Sequence, residues 1–470
     1  MSTKALTVAP RFYKQWMLAG NPAYFFDRIA RDLGDFVLCR GVLDFYFLNH
    51  PELVRSVLKD TNSRFDKNSP LYSQFRKAFG TGLVIVEGEL WKKQRRLLQP
   101  HFSPTAVRAS FDLMQECIDR CSERWQRYVS EDATFNMVGE MHDLTLDIAG
   151  TTLLGGNFAA AQKRIARWTH NINVYSATLP LPVVSNLWFP TPKNLSLKKT
   201  LREFYEFIAQ TVEERKGGTV QNGLLNALLE AQDPETGEKM SAEQLGAEIL
   251  GVIIGGHETS SAALTWAWCE LAQNPDVEER LHQELDRVLG GEKPTLKHMP
   301  QLKYTRMIVD ETMRLHPPFW FENRNTTEDV ELWGATVPKG SMIAFSRYSL
   351  HRHPDFWPEP ERFNPERFSE ESPGTKHAYV PFGGGPRVCI GIHFATLELV
   401  MALATLAQRY RAVLREKEPV RMRALLTMEP MHGRLSMGLV PRDGSAARAP
   451  ICPADSFWPG IPPPVITNLS

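Results

Sequence analysis

No run in this 470-residue chain is apolar for long enough to serve as a signal peptide or a membrane span, and the N-terminus carries Lys4, Arg11 and Lys14 instead. Excess charge of one sign is missing too. The 54 Lys and Arg balance 54 Asp and Glu, and no basic run is long enough for a nucleic-acid footprint, so a nucleic-acid partner is excluded. Cysteine is scarce: six scattered residues make no disulfide framework and suit a reduced, cytoplasmic protein. Cys117 and Cys121 share a helix face but have no His or Cys nearby, so no zinc site is expected. Gly/Ser linkers, low-complexity blocks and internal repeats are also absent. Length alone suggests about three domains, but nothing divides the chain, and its 43% hydrophobic content supplies one large core.

What is present concentrates in residues 382–391, where Phe382, Gly385, Arg387, Cys389 and Gly391 fall at the offsets F-x-x-G-x-R-x-C-x-G. A Gly-rich loop closed by Pro386 delivers a cysteine to the start of an apolar helix running from Ile392 to about Arg409. Free N–H groups at a helix start and the positive end of its dipole favour thiolate. Arg387 adds positive charge, glycines allow close backbone approach, and Phe382 offers an aromatic wall. A thiolate in a shielded loop is what haem iron takes as a strongly donating axial ligand. C-x-x-C-H does not occur, so covalent c-type attachment is excluded. At all five positions the loop resembles the haem-binding signature of the cytochrome P450 superfamily.

Four further motifs follow the order found in that family. Trp91 and Arg95 lie at i,i+4 on one helix face and resemble the pair that binds a haem propionate, with Arg suited to grip a carboxylate. Beside them Lys92, Lys93 and Arg96 offer a basic face to a redox partner. Ser241 and Gln244 form a capping box that opens a helix of about thirty residues, ~45 Å at 1.5 Å per residue. In its middle, Gly255-Gly256-His257-Glu258-Thr259 resembles the family's oxygen-activation motif. Paired glycines weaken the helix there, Thr259 can bond back to the Gly255 carbonyl, and Glu258 beside Thr259 makes an acid–alcohol pair for moving protons. The zinc-protease pattern H-E-x-x-H fails because residue 261 is Ser.

Glu311 and Arg314 form an E-x-x-R, a pattern that recurs at Glu52/Arg55, Glu284/Arg287, Glu359/Arg362 and Glu418/Arg421. Position selects the first pair, between the long helix and Pro365-Glu366-Arg367-Phe368, where the family places a buried Glu–Arg–Arg network completed by Arg367.

Phe36 to Cys39 and Phe45 to Leu48 read as β-rich runs around a turn, and Pro51 opens a helix to about Lys59; residues 62–86 read as loop-rich, Ser103-Pro104 starts a helix to about Val129, and Leu425 to Leu439 reads as a β-hairpin with residues 429–433 at its tip. The resemblance spans about residues 20–440. It implies a mainly α fold with a small β lobe (α+β), with residues 1–441 a haem domain and residues 442–470 a flexible tail. It also implies haem b (iron protoporphyrin IX) on Cys389, with Gly255 facing it and Arg324 a second propionate partner. Phe319, Trp320, Phe321 and Met431 would face the substrate, and residues 160–217 would form a lid. Glu322 is unusual in that stretch, and pairing with a neighbouring Arg outweighs a substrate contact. The activity implied is monooxygenation: one atom of O2 enters a C–H or C=C bond of a hydrophobic molecule of secondary metabolism. Protons would pass through Glu258 and Thr259. No flavin or iron–sulfur region remains in the length, so electrons would come from a ferredoxin or flavodoxin and its reductase. The absent anchor resembles the soluble, bacterial-type, monomeric forms. An O2-independent haem-thiolate isomerase or dehydratase, and a non-catalytic haem protein, are the alternatives; the intact acid–alcohol pair disfavours both.

Overall fold

A computed structural model describes residues 5–9, 21–41, 43–155, 161–176, 187–216, 223–233, 235, 237–370, 378–416 and 418–442. Helices dominate, and a six-stranded sheet forms the β lobe in the spatial order Thr7–Val8, Phe36–Cys39, Phe45–Leu48, Met342–Ser346, Phe321–Thr326, Phe65–Asp66. Phe36–Cys39 and Phe45–Leu48 are β-rich runs around a turn and pair antiparallel; Phe45–Leu48 then runs parallel to Met342–Ser346, which ties segments about 300 residues apart. Helix Pro51–Lys59 starts with proline at its first turn and buries Leu53, Val54, Val57 and Leu58 on one face. That face shares a small core with Phe36, Leu48, Ile343 and Phe345 of the sheet.

The long helix Ala242–Gln273 is the axis of the larger, helical core. Its capping box is formed, each Ser241–Gln244 bond being 3.1 Å. Thirty-two residues span ~48 Å. The helix is apolar around most of its circumference, as a helix enclosed by others must be. It packs on helices Met137–Ala149, Lys303–Leu315 and Ile392–Ala407. Ser260 Oγ donates to Glu398 Oε2 at 2.5 Å where it meets the last of these. Among the described residues no helix is long and apolar enough to cross a membrane.

The Glu–Arg–Arg network holds the segment leading to the cysteine loop. Fully buried Glu311 accepts from Arg314 at 2.6 and 2.9 Å, from the Asn364 N–H at 2.7 Å and from Arg367 Nε at 3.3 Å. Arg314 also donates to the carbonyls of His351 at 2.9 Å and Pro360 at 2.7 Å. Of the other E-x-x-R pairs, Glu284 turns out to cap helix Lys303–Leu315, accepting the Tyr304 and Thr305 N–H groups at 2.7 and 2.8 Å.

Three segments differ from the sequence reading. Residues 62–86, expected to be loop-rich, contain helix Pro70–Phe79, started by Ser69 Oγ accepting the Tyr72 N–H at 3.1 Å. The helix expected over 104–129 breaks at Ser110 into Pro104–Ala109 and Phe111–Ser130. The C-terminal hairpin is shifted: Met422–Ala424 pairs with Met428–Pro430 around residues 425–427, while Ser436–Pro441 pairs with Tyr410–Leu414. Asn173 Oδ1 takes the Leu426 N–H at 3.0 Å and Leu425 takes the Trp320 indole at 2.7 Å, so tertiary contacts set that turn. The lid residues 177–186 lie outside the described residues, between helices Gln162–Ser176 and Pro192–Lys216. The tail beyond Arg442 does too; Arg442 itself donates its N–H to Arg409 at 3.0 Å.

Candidate active site

The cysteine loop turns at Gly383 and Gly385, at φ +73° and +63°. A Cβ on Gly385 would lie 2.0 Å from the Leu58 carbonyl oxygen, so only glycine fits. The close approach expected of this glycine is therefore to the backbone of helix Pro51–Lys59. The Cys389 N–H reaches the Phe382 carbonyl at 2.9 Å, and Arg95 Nη1 holds the Val388 carbonyl at 2.9 Å. Gly391 caps the apolar helix and turns its N–H to the Cys389 sulfur. Cys389 is accessible, unlike Cys39, Cys117, Cys121 and Cys269, yet lies deep in the molecule, which makes it part of an interior wall. Burial pushes its thiol up, outweighing the Gly391 N–H, Arg95 and Arg347. The Gly391 N–H and the two arginines act in the direction the sequence reading expected, and burial opposes them. A metal cation on sulfur reverses that balance.

Around the loop, Lys67, Arg324, Arg347 and Arg387 bury their side chains against two carboxylates, Glu322 and Glu87. Arg387 pairs with Glu87 at 2.5 Å, donates to Val86 at 2.7 Å and lies 4.5 Å over the Trp91 ring. Every nitrogen of Arg324 has a protein partner: Glu322, the Asn323 carbonyl at 2.7 Å and Thr61 at 3.3 Å among them. Glu322 joins Arg324 to Arg347, the pairing weighed from the sequence. Burial alone would raise its carboxyl, but Arg324, Arg347 and Lys67 hold it well below the usual range. Lys67, donating to the Val84 carbonyl at 2.9 Å, is pushed down to about 7 by burial and by Arg324. Cations so placed need an anion beyond the two carboxylates. The two propionates of a haem would supply that charge, and Cys389 would supply a ligand for its iron, so the residues fit the group. Lys67 and Arg347 were missed in the sequence, where no motif marks them.

On the long helix, Thr259 Oγ1 donates to the Gly255 carbonyl at 2.6 Å, the back-bond expected. Gly255 is exposed and a Cβ there would meet nothing within 4 Å, so the helix presents bare backbone at this turn. Glu258 leaves by another face and is buried, its Oε2 accepting from Asn173 Nδ2 at 3.2 Å. Burial pushes its carboxyl up, against Thr169, His170 and Asn173. Asn173 also donates to Thr427 at 3.1 Å, linking the acid to the hairpin turn; sequence reasoning did not find it.

The aromatic stretch is divided. Phe319 is half-buried under Arg347, 5.4 Å away. Trp320 and Phe321 instead join Phe26 in a packed cluster, with Phe26 and Phe321 stacked at 4.9 Å. Met431 is half-buried in the turn Met431–Gly433, its N–H on the Arg421 carbonyl at 2.7 Å.

A family model described as Cytochrome P450 matches residues 7–436. The chain belongs to the cytochrome P450 family. It is 33% identical over 386 residues to cyclooctat-9-en-7-ol 5-monooxygenase of Streptomyces melanosporofaciens, covering 80% of this chain and 82% of that one. Pentalenene oxygenase of Streptomyces avermitilis is 32% identical over 420 residues, 88% of this chain and 92% of its own. The crystal structure of the cytochrome P450DA heme domain superposes with a TM-score of 0.83 at 26% identity, over 93% of this chain and 98% of that one. The fold is therefore the α+β P450 fold, and the protein is a monooxygenase that works with haem iron, O2, a substrate and a redox partner.

Proposed function

We propose that this P450 holds haem b through Cys389 and inserts one atom of O2 into a C–H or C=C bond of a cyclic terpenoid, as a cytoplasmic monomer. Its electrons come from a separate ferredoxin or flavodoxin. The observation that carries the reading is Thr259, lodged on the Gly255 carbonyl on the bare turn of the long helix beside buried Glu258, whose carboxyl burial pushes up. Arg95 and the cluster of Lys67, Arg324, Arg347 and Arg387 balance the propionates, with Trp91 under Arg387 and Phe382 closing the loop. When bound, the haem supplies O2 binding and activation. The chain's residues supply the rest: Thr259 orients a proton donor on the bare turn, Glu258 stores the proton, and Gly255 leaves room for the substrate. One oxygen atom enters the substrate and the other leaves as water, using two electrons and two protons. The substrate class rests on the relatives above, a cyclooctat-9-en-7-ol monooxygenase and a pentalenene oxygenase, and on Glu322, whose pairing with Arg324 and Arg347 keeps that carboxylate from anchoring a cationic substrate. The test is turnover of a panel of cyclic terpenes under 18O2 with ferredoxin, reductase and NADPH. A product carrying one 18O is expected; product formed without O2 uptake would contradict the proposal.

A further inference from the structure

Asn173 of helix Gln162–Ser176 reaches three places with one amide. Its Oδ1 takes the Leu426 N–H at 3.0 Å, and its Nδ2 lies 3.2 Å from Glu258 Oε2 and 3.1 Å from Thr427 Oγ1. The Leu426 N–H can only donate. It therefore fixes the amide oxygen on its side and turns the two N–H groups to Glu258 and Thr427. Asn173, Glu258 and Thr427 are all buried, and the three bonds offset the desolvation of an amide placed so deep. The hairpin turn that holds Asn173 is pinned in its own right. The Leu425 carbonyl takes the Trp320 indole at 2.7 Å. The Met428 N–H reaches the Pro318 carbonyl at 3.0 Å, and the Met428 carbonyl takes the Trp266 indole at 3.0 Å. A clasp between helix and hairpin would need only the bonds to Leu426 and Thr427. The third bond goes to the acid.

We propose that Asn173 is a positioning residue for oxygen activation: fixed by the pinned turn 425–427, its amide sets the Glu258 carboxyl and supports it as its proton leaves. This rests on Glu258 and Thr259 serving oxygen activation. An N–H aimed at Oε2 leaves Oε1 to carry the proton of the neutral acid, so the amide decides which oxygen donates. When that proton goes toward Thr259 only an O–H bond breaks, and the charge left behind meets a donor already in place. Asn173 keeps its own protons, and no electron moves. Burial pushes the Glu258 carboxyl up, and what opposes it comes from one helix, through Thr169, His170 and Asn173. The other titratable groups facing the acid are His257 on its own helix and His142 of helix Met137–Ala149, with ring nitrogens within 4.8 Å. Burial pushes both imidazoles down, so at neutral pH neither brings a cation. Support for the carboxylate thus falls to the helix that carries Asn173.

Asn173→Ala removes all three bonds. Asn173→Asp keeps an oxygen for the Leu426 N–H but offers Glu258 a second acid in place of an N–H. The reduced CO spectrum checks that each variant binds haem. In mildly acidic, substrate-free holoenzyme, the infrared carbonyl stretch of protonated Glu258 is identified by its loss in Glu258→Gln. An N–H on the carbonyl oxygen lowers that frequency, so Asn173→Ala should raise it. In reconstituted turnover both Asn173 variants should cut product per NADPH about fivefold, with peroxide making up the difference and a larger solvent deuterium isotope effect. The concentration giving the half-maximal substrate spin shift should stay within about twofold in Asn173→Asp, which keeps the bond to the turn. Adding either variant to Glu258→Gln should lower coupling no further. An unmoved stretch in Asn173→Ala, or wild-type coupling in Asn173→Asp, would make Asn173 a structural clasp and overturn the proposal. A full further loss on top of Glu258→Gln would overturn it too, since Asn173 would then act elsewhere. Wild-type coupling in Glu258→Gln alone is a different failure: it removes the proton role of Glu258, and this proposal with it.

Discussion

At Thr259 a single hydroxyl stands between a backbone carbonyl and the interior, and its removal separates electron flow from product formation. Thr259→Ala keeps the fold, because its one bond is to its own helix at Gly255. Its electrons should go to hydrogen peroxide instead, with product per NADPH falling about tenfold or more; peroxide and product assays on one sample check this, and unchanged coupling would remove Thr259 from the proton path. This residue was legible because the motif is local: a Gly pair, an acid and an alcohol on consecutive residues. Cys389 was legible for the same reason. Lys67 and Arg347 were not, because their meaning lies in burial beside Glu322, which joins stretches far apart in sequence. Arg387 shows the opposite limit. Its position in the motif was plain, but not its partners Glu87, Val86 and Asn62.

Between elements, the long helix and the cysteine helix meet through one acid. Burial pushes Glu398 up to about 8 from 4.5, and the Ser260 hydrogen bond opposes this only in part. The folded protein therefore holds this proton more tightly than the unfolded chain, and the resulting stability is full below about 4.5 and lost as pH rises through about 8. Glu398→Gln removes that dependence. Its thermal midpoint should match wild type near pH 5 and exceed it at pH 9, by ~1–3 kcal/mol of stability; equal differences at both pH values would contradict the assignment. Elements with local signals were readable. Ser241/Gln244 marked the start of the long helix, and Pro51 marked helix Pro51–Lys59. Helix Pro70–Phe79 had an equivalent Ser-Pro start but lay among mixed polar and aromatic residues, which hid its period. The C-terminal hairpin was misplaced because Asn173 and Trp320, distant in sequence, select its turn.

For the whole molecule, the long helix packs on the cysteine helix, and the sheet lobe brings Arg347 of its cationic cluster to act on Cys389 beside Arg95. The order of five motifs made that convergence legible, since each sits near the end or middle of an element whose packing brings it inward. What the motifs did not reveal is that burial pushes the Cys389 thiol up against the Gly391 N–H, Arg95 and Arg347. The most direct test is the CO difference spectrum of dithionite-reduced protein, for wild type and Cys389→His. A strongly red-shifted Soret band in wild type, lost in the variant, is expected. A histidine-type spectrum in wild type, or the same spectrum in both, would contradict thiolate ligation by Cys389.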